Sequence, residues 1–333
     1  MTSTTNALRD AQLTVLLAPD ALRDALEADA RAGLTASPKW LPPKYFYDDR
    51  GSELFEEITR LPEYYPTRTE RSLLAEVADE IARVADAEVL LELGSGSSEK
   101  TGLLLDALEA AGRLAAYVPV DVSPAALKGA VAELATGRPE LTVVPVVADF
   151  EHHLTELPAP GRRLVAFLGS TIGNFAPAER ASFLAGLAEA LSPGETVLLG
   201  LDLVKDPRRL VAAYDDSAGV TADFNRNVLR VLNRELDADF DVDAFEHVAR
   251  WDAGNEWMEM RLRATRPMTA KLAGLDLSVE LAEDEEIRTE ISAKFRRERI
   301  APELAAAGLD LVGWWTDPDG DYALALARVG TAD

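Results

Sequence analysis

The stretch EVLLELGSGSSEKT, Glu88 to Thr101, decides how the rest of the chain is read. Val89, Leu90, Leu91 and Leu93 form a short apolar run suited to a strand buried on both faces. Gly94 and Gly96 then let the backbone turn sharply and come close to a ligand, and a helix is predicted near Glu99–Ala111. Such a turn can receive a dinucleotide, a mononucleotide phosphate or a methyl-donor cofactor. The dinucleotide fingerprint G-x-G-x-x-G/A needs a third glycine where Glu99 stands. A carboxylate there is a poor neighbour for a pyrophosphate at a helix N-terminus. The P-loop pattern G-x-x-x-x-G-K-[ST] does not occur in the chain. Glu92, two residues before the first glycine, suits a cofactor that carries positive charge and no phosphate. S-adenosylmethionine, a sulfonium with an amino acid tail, meets both conditions.

Working outward, the sequence after this turn alternates strands with helices. AAYVPVDVS is followed by a helix near Pro124–Thr136, then LTVVPVVADF, RRLVAFLGSTIGNF, a helix near Pro177–Leu191 and ETVLLGLDLV. Five buried strands separated by helices predict a doubly wound parallel sheet. Ligands of such sheets sit beyond the carboxyl ends of the strands. Asp121 ends the second strand and can accept from both ribose hydroxyls. Asp149 and Phe150 end the third, offering a carboxylate to an adenine amino group and a ring to cover the base. The fourth supplies Gly169 and Asn174.

The alternation stops after Val204. Two helices are predicted in the next stretch, and then antiparallel strands from Phe245 to Phe295, forming an inserted unit. The last stretch, LDLVGWWTDPDGDYALALARV, reads as a hairpin that completes the first sheet. Ahead of the first strand, a helix over Ala21–Leu34 leads into a segment dense in aromatics and prolines, suited to a lid, a substrate wall or a cap on the core.

Bulk properties exclude several classes. The 333 residues carry 34 Lys+Arg against 58 Asp+Glu, a formal charge of -24. So acidic a surface repels phosphate backbones and anionic lipid. With no cysteine, thiol catalysis, disulfides and cysteine-bound metals are ruled out. His152, His153 and His247 do not have metal-site spacing, so no metal is expected. MTSTTNALRDAQLTVLLAPD is not a secretory signal, and no apolar run approaches a membrane span. A cytoplasmic monomer acting on a small molecule, with no nucleic acid or membrane partner, is the expectation.

Together these pieces resemble the class I S-adenosylmethionine-dependent methyltransferases. More closely, LPPKYFYDDRGSELFEEITRLPEYYPTRTE, LELGSGSSEKT, FLGSTIGNF, DLVKD, AYDDSAGVTADFNRNVL and TEISAKF resemble the histidine Nα-methyltransferases of ergothioneine biosynthesis. The likeness spans about Gly33 to the final hairpin. It implies three methyl transfers to the α-amino group of L-histidine, giving hercynine. The fold it implies is α/β, a Rossmann-like sheet closed by a C-terminal hairpin, with a second α+β substrate-binding domain. The implied division is 69–203 with 295–333 for the methyltransferase domain, and 1–68 with 204–294 for the second.

The resemblance further implies cofactor contacts from Tyr47, Gly94, Lys100, Asp121, Asp149 and Phe150. Histidine contacts fall to Tyr64, Asn174, Tyr214, Glu290 and Ser292, with Met260 lining the pocket. Asn174, Tyr47 and Gly169 are implied at the transfer step. Residue chemistry agrees in kind. Glu290 and Ser292, two apart in a strand, face one side and can meet the two ring nitrogens of an imidazole. Asn174 and Tyr214 are neutral hydrogen bonders suited to a free amino acid, and Lys100 suits the cofactor carboxylate. A methyltransferase of the same fold acting on another amino acid or small amine, or a non-catalytic S-adenosylmethionine sensor, would share the first half of this pattern.

Overall fold

The computed structural model describes residues 13–18, 20–96 and 100–330. Glu99 and the first twelve residues, on which the fingerprint and secretory-signal readings partly rest, lie outside that range. The chain begins with β1 (Thr14–Val15), α1 (Ala21–Thr35), β2 (Lys39–Trp40), α2 (Asp49–Thr59) and α3 (Pro66–Ala85). Next come β3 (Val89–Leu93), α4 (Thr101–Ala110), β4 (Ala116–Asp121) and α5 (Pro124–Gly137). The strand pair β5 (Thr142–Val143) and β6 (Val146–Val147) leads to β7 (Arg163–Phe167), α6 (Pro177–Ala190) and β8 (Thr196–Asp202). Then α7 (Pro207–Tyr214) and α8 (Val220–Glu235) precede β9 (Phe245–Asp252), β10 (Trp257–Ala264), β11 (Met268–Leu272), β12 (Leu277–Leu281) and β13 (Glu286–Ala293). Helix α9 (Arg297–Ala306) and the hairpin β14 (Leu309–Thr316) to β15 (Tyr322–Val329) end the fold.

Local sequence explains where the helices start. Proline opens α3, α6 and α7, where its missing N–H costs nothing and its fixed φ suits the first turn. Asp48 and Asp206 cap α2 and α7 by accepting the N–H groups of Gly51 and Arg208. Asp216 does the same for α8 through Val220 and Thr221, at 3.1 and 2.7 Å.

The large sheet has the order β1-β6-β4-β3-β7-β8-β15-β14, with β5 beside β4. Strands β3, β4, β6, β7 and β8 run parallel, and the terminal hairpin enters antiparallel to β8. Strand order reverses at β3, so the Gly94 turn emerges at the switch point where such sheets bind ligands. Val89, Leu91 and Leu93 pack into the core on one face and Leu90 into that on the other, which is why this strand shows no alternation. The stretch LTVVPVVADF, read as one strand, is split at Pro145 into β5 and β6. Proline has no N–H to carry the ladder through.

A separate core gathers residues from α1, α2, α7, α8 and the antiparallel strands, running from Leu26 to Tyr65 and from Leu210 to Ile287. Its sheet has the order β2-β13-β10-β9, with β11 and β12 as a further hairpin. The two sheets meet where β13 runs out. Phe295 donates to the Asp202 carbonyl at 2.8 Å and accepts from Val204 at 3.1 Å, laying this segment along the end of β8. No helix among the described residues is long and apolar enough to cross a membrane.

Candidate active site

The glycine turn is held open by its neighbour strand. Gly94 and Gly96 have φ of 68° and 47°, a left-handed conformation that side chains resist. Gly96 donates its N–H to Asp121 Oδ2 at 3.2 Å, and Asp121 Oδ1 accepts from Ser123 N at 2.9 Å. Burial raises the Asp121 carboxyl, while these backbone donors counter it. Asp149 is likewise fixed, accepting from Glu151 N at 2.9 Å. The Phe150 ring lies against the turn, 3.9 Å from where a Cβ on Gly94 would be, and is packed edge-on to Phe167 and Phe183. Two carboxylates and an aromatic face around an exposed backbone suit ribose hydroxyls, an exocyclic amine and a base. They do not suit phosphate, so the donor set fits S-adenosylmethionine.

Glu92 has a further role that the sequence did not suggest. It is 5% exposed and accepts from Thr101 Oγ1 and Tyr117 OH, each at 2.6 Å, tying β3 to α4 and β4. Burial pushes its carboxyl up to about 7 despite these donors. Both bonds fall on Oε2, and the tie is architectural. Lys100 also has a partner that the sequence did not suggest, because its ammonium is ion-paired with Glu70 on α3. Glu70 is fully buried and accepts from Gly169 N at 2.8 Å and Tyr322 OH at 2.7 Å. A cofactor carboxylate at Lys100 would share it with Glu70.

This cluster explains Gly200 in β8. A Cβ there would lie 2.1 Å from Glu70 Oε1, 2.6 Å from Tyr322 OH and 3.2 Å from Gly169 N. Gly200→Ala is therefore expected to destabilise the fold by ~1–3 kcal/mol, the range for an overpacked core, and to loosen cofactor binding through Glu70 and Lys100. Calorimetric unfolding and cofactor titration check this, and an unchanged midpoint would contradict it.

One loop joins the two halves of the site. It begins at Gly169, within 3.9 Å of Lys100 Nζ as measured from a built Cβ, and ends in the 3-10 turn Thr171–Asn174. Asn174 Nδ2 donates to Glu290 Oε1 at 3.2 Å. Met260 pairs with Glu290 across β10 and β13, and Met258 with Ser292. Tyr214 OH donates to Ser292 Oγ at 2.8 Å. Tyr47 and Tyr64 flank Phe55 edge-on, and Tyr47 also packs on Phe224. Burial of the phenol end, then Glu290 and Tyr214, raise the Tyr47 hydroxyl, although part of the residue is exposed. Burial, Tyr214, Tyr47 and Glu290 raise Tyr64 in the same way. Burial pushes Glu290 up to about 7, against the pull of Lys294 and Asn174.

Sequence reasoning missed the charges behind this pocket. Lys294 is fully buried, and its Nζ lies 2.8 Å from Asp202 Oδ2, 2.9 Å from Tyr214 OH and 2.9 Å from Ser292 Oγ. Asp202 also pairs with Lys205 and accepts from Tyr65 OH at 2.7 and 2.9 Å. Burial alone would raise Asp202, but Lys294 and Lys205 overcome it and hold the carboxyl below its usual value. Ser292 Oγ thus accepts from both Tyr214 and Lys294, so its own hydrogen is left for a ligand acceptor. Glu290 beside it is an acceptor when ionised. The pair presents one donor and one acceptor, matching a neutral imidazole with one bare nitrogen and one N–H. Lys294 continues the Glu290, Ser292 spacing by two more residues, a signal present in TEISAKF.

A glycine turn at the switch point, acidic strand ends and a second polar pocket on the adjoining loop define a class I S-adenosylmethionine-dependent methyltransferase. Residues 26–329 match the family described as histidine-specific methyltransferase, SAM-dependent. The chain is 57% identical over 311 residues to the histidine N-alpha-methyltransferase of Mycolicibacterium smegmatis, covering 93% of this chain and 97% of that protein. It is 54% identical, with the same coverage, to the histidine N-alpha-methyltransferase of Mycobacterium tuberculosis. A 30% identical match over 330 residues is ergothioneine biosynthesis protein 1 of Neurospora crassa, covering 36% of that longer protein. The chain belongs to the histidine-specific, S-adenosylmethionine-dependent methyltransferase family.

Proposed function

We propose that this protein trimethylates the α-amino group of L-histidine to hercynine, the first step of ergothioneine biosynthesis, and that it works as a cytoplasmic monomer on this small molecule alone. The observation that carries the substrate is the polar pairing of Glu290, an acceptor, with Ser292, a donor, on one strand face. The proposed division of labour keeps two parts, although β1 (Thr14–Val15), within 1–68, pairs with β6 in the large sheet. Residues 69–203 with 295–333 bind the cofactor, and 1–68 with 204–294 hold the amino acid.

S-adenosylmethionine supplies an electrophilic methyl group on a sulfonium sulfur. Gly94, Asp121, Asp149 and Phe150 would hold its nucleoside, Lys100 its carboxylate, and Tyr47 the reacting end. Glu290 accepts the imidazole N–H and Ser292 donates to the other nitrogen. Tyr64, Asn174 and Tyr214 orient the backbone end of the amino acid, and Met260 closes the wall. Asn174, Tyr47 and Gly169 stand where the amine meets the methyl. The amine must shed a proton before each transfer, since only its lone pair can form the new N–C bond while the C–S pair returns to sulfur. Three transfers replace the three ammonium hydrogens and release three protons. Holding the nitrogen in line at contact distance is worth several kcal/mol. A site that hydrogen-bonds a ring N–H also rejects analogues lacking it more strongly than an apolar pocket can.

Mass spectrometry after incubation with S-adenosylmethionine and each of the twenty amino acids tests this. Stepwise gains of up to three methyl groups on histidine alone are expected. Gains on a different amino acid would refute the roles of Glu290 and Ser292, and no transfer with cofactor bound would refute the enzymatic reading.

A further inference from the structure

Strand β13 cannot be regular and still build this pocket. Ile287 pairs with Leu262, and both are buried in the core of the second sheet. Glu286 lies on the other face, ion-paired with Arg250, Arg261 and Arg263. A strict period of two would therefore send Glu290 and Ser292 outward, in phase with Glu286 and Arg288. They point inward because the pairing skips a residue. Arg261 faces Arg288 and Met260 faces Glu290, leaving Thr289 without a partner in the ladder. This is a β-bulge, a device that re-aims side chains and bends a strand.

The bulge is anchored from the core side. Thr289 is fully buried, and its hydroxyl donates to Asn225 Oδ1 at 2.6 Å and lies 3.0 Å from the Met260 carbonyl. Asn225, also fully buried on α8, donates from Nδ2 to the Arg261 carbonyl at 3.0 Å and to His247 Nδ1 at 2.8 Å. His247 Nε2 lies 2.8 Å from the Tyr214 carbonyl, so the ring carries its proton on Nε2 and donates there. Burial keeps His247 neutral by lowering its pKa. One polar chain thus runs from the bulge on β13, through α8 and β9, to the last residue of α7.

We infer that Thr289, Asn225 and His247 are positioning residues that fix Glu290 and Ser292 against Tyr214 without touching the amino acid. The inference rests on reading Glu290, Ser292 and Tyr214 as the histidine pocket. Thr289→Val keeps the shape and deletes the donor. It is expected to weaken histidine binding about tenfold, near the upper end for one hydrogen bond, while S-adenosylhomocysteine binding changes by less than about twofold in the same titrations. Thr289→Ser restores the hydroxyl and should bring histidine affinity back to within about threefold of the original. Undiminished histidine affinity in Thr289→Val, or equal loss for both ligands, would overturn the inference. The crystal structure of Thr289→Val gives a readout without substrate. Displacement of the Glu290 carboxylate from the Asn174 amide supports the role, and an unchanged bulge and carboxylate overturns it. An unaltered protein that binds S-adenosylhomocysteine but no histidine would refute the pocket reading, and the crystal comparison would then decide the role of Thr289.

Discussion

Glu290→Gln is expected to stabilise the ligand-free protein at pH 8 while removing most of its affinity for histidine. Burial holds the Glu290 carboxyl at about 7 in the folded state, above the ordinary 4.5 of a glutamate. The folded protein therefore keeps this proton between those values. The stabilisation from the bound proton is complete below the lower value and is lost as pH rises through about 7. At pH 8 the empty pocket holds an ionised, partly desolvated carboxylate at a cost on the order of 1–3 kcal/mol. Glutamine has the same shape without that charge. Its unfolding midpoint should exceed the original at pH 8 and match it more closely at pH 5. Histidine loses a charge-assisted hydrogen bond, worth ~1.5–3 kcal/mol, so its dissociation constant should rise at least tenfold. Scanning calorimetry at both pH values and histidine titration read the two effects. A Glu290→Gln midpoint no higher at pH 8 than at pH 5, relative to the original protein, would refute the charge strain assigned to this pocket.

Lys294→Met is the second large effect, and it acts in the opposite direction. The ammonium is fully buried between Asp202, Tyr214 and Ser292. Removing one member of a buried ion pair typically costs ~3–5 kcal/mol, because the remaining charge is left uncompensated. Lys205 and Tyr65 still hold Asp202, which places the expected loss near the lower bound. Adding Asp202→Asn to Lys294→Met should cost less than the sum of the two single losses, although it also leaves the buried Lys205 ammonium without its carboxylate. Histidine binding should weaken in Lys294→Met, because Ser292 and Tyr214 lose the donor that orients both hydroxyls. Additive losses in the double variant would show that the pair is not coupled.

Much of this was legible in the sequence because it is local. The apolar run before Gly94, the acidic strand ends at Asp121 and Asp149, and the hairpin turn at DPDGD each announce themselves within a few residues. What the sequence hid depends on partners distant along the chain. Nothing local to Glu92 shows that Tyr117 and Thr101 both bond its Oε2. Glu70 precedes Lys100 by 30 residues on a helix with no distinguishing pattern. Asp202 and Lys294 meet only because the end of β13 runs beside the end of β8. The bulge at Thr289 is the subtlest case. Alternation from Glu290 to Ser292 was sound, but no count from Glu286 would have placed them inward.

The most direct test of histidine Nα-methylation is a carbon–proton correlation spectrum of histidine incubated with this protein and S-adenosylmethionine labelled with carbon-13 at its methyl group. A single labelled methyl resonance, from equivalent methyls on one quaternary nitrogen coupled to the α-carbon, is the expected result. Label on an imidazole nitrogen, or none on histidine while cofactor is bound, would contradict it.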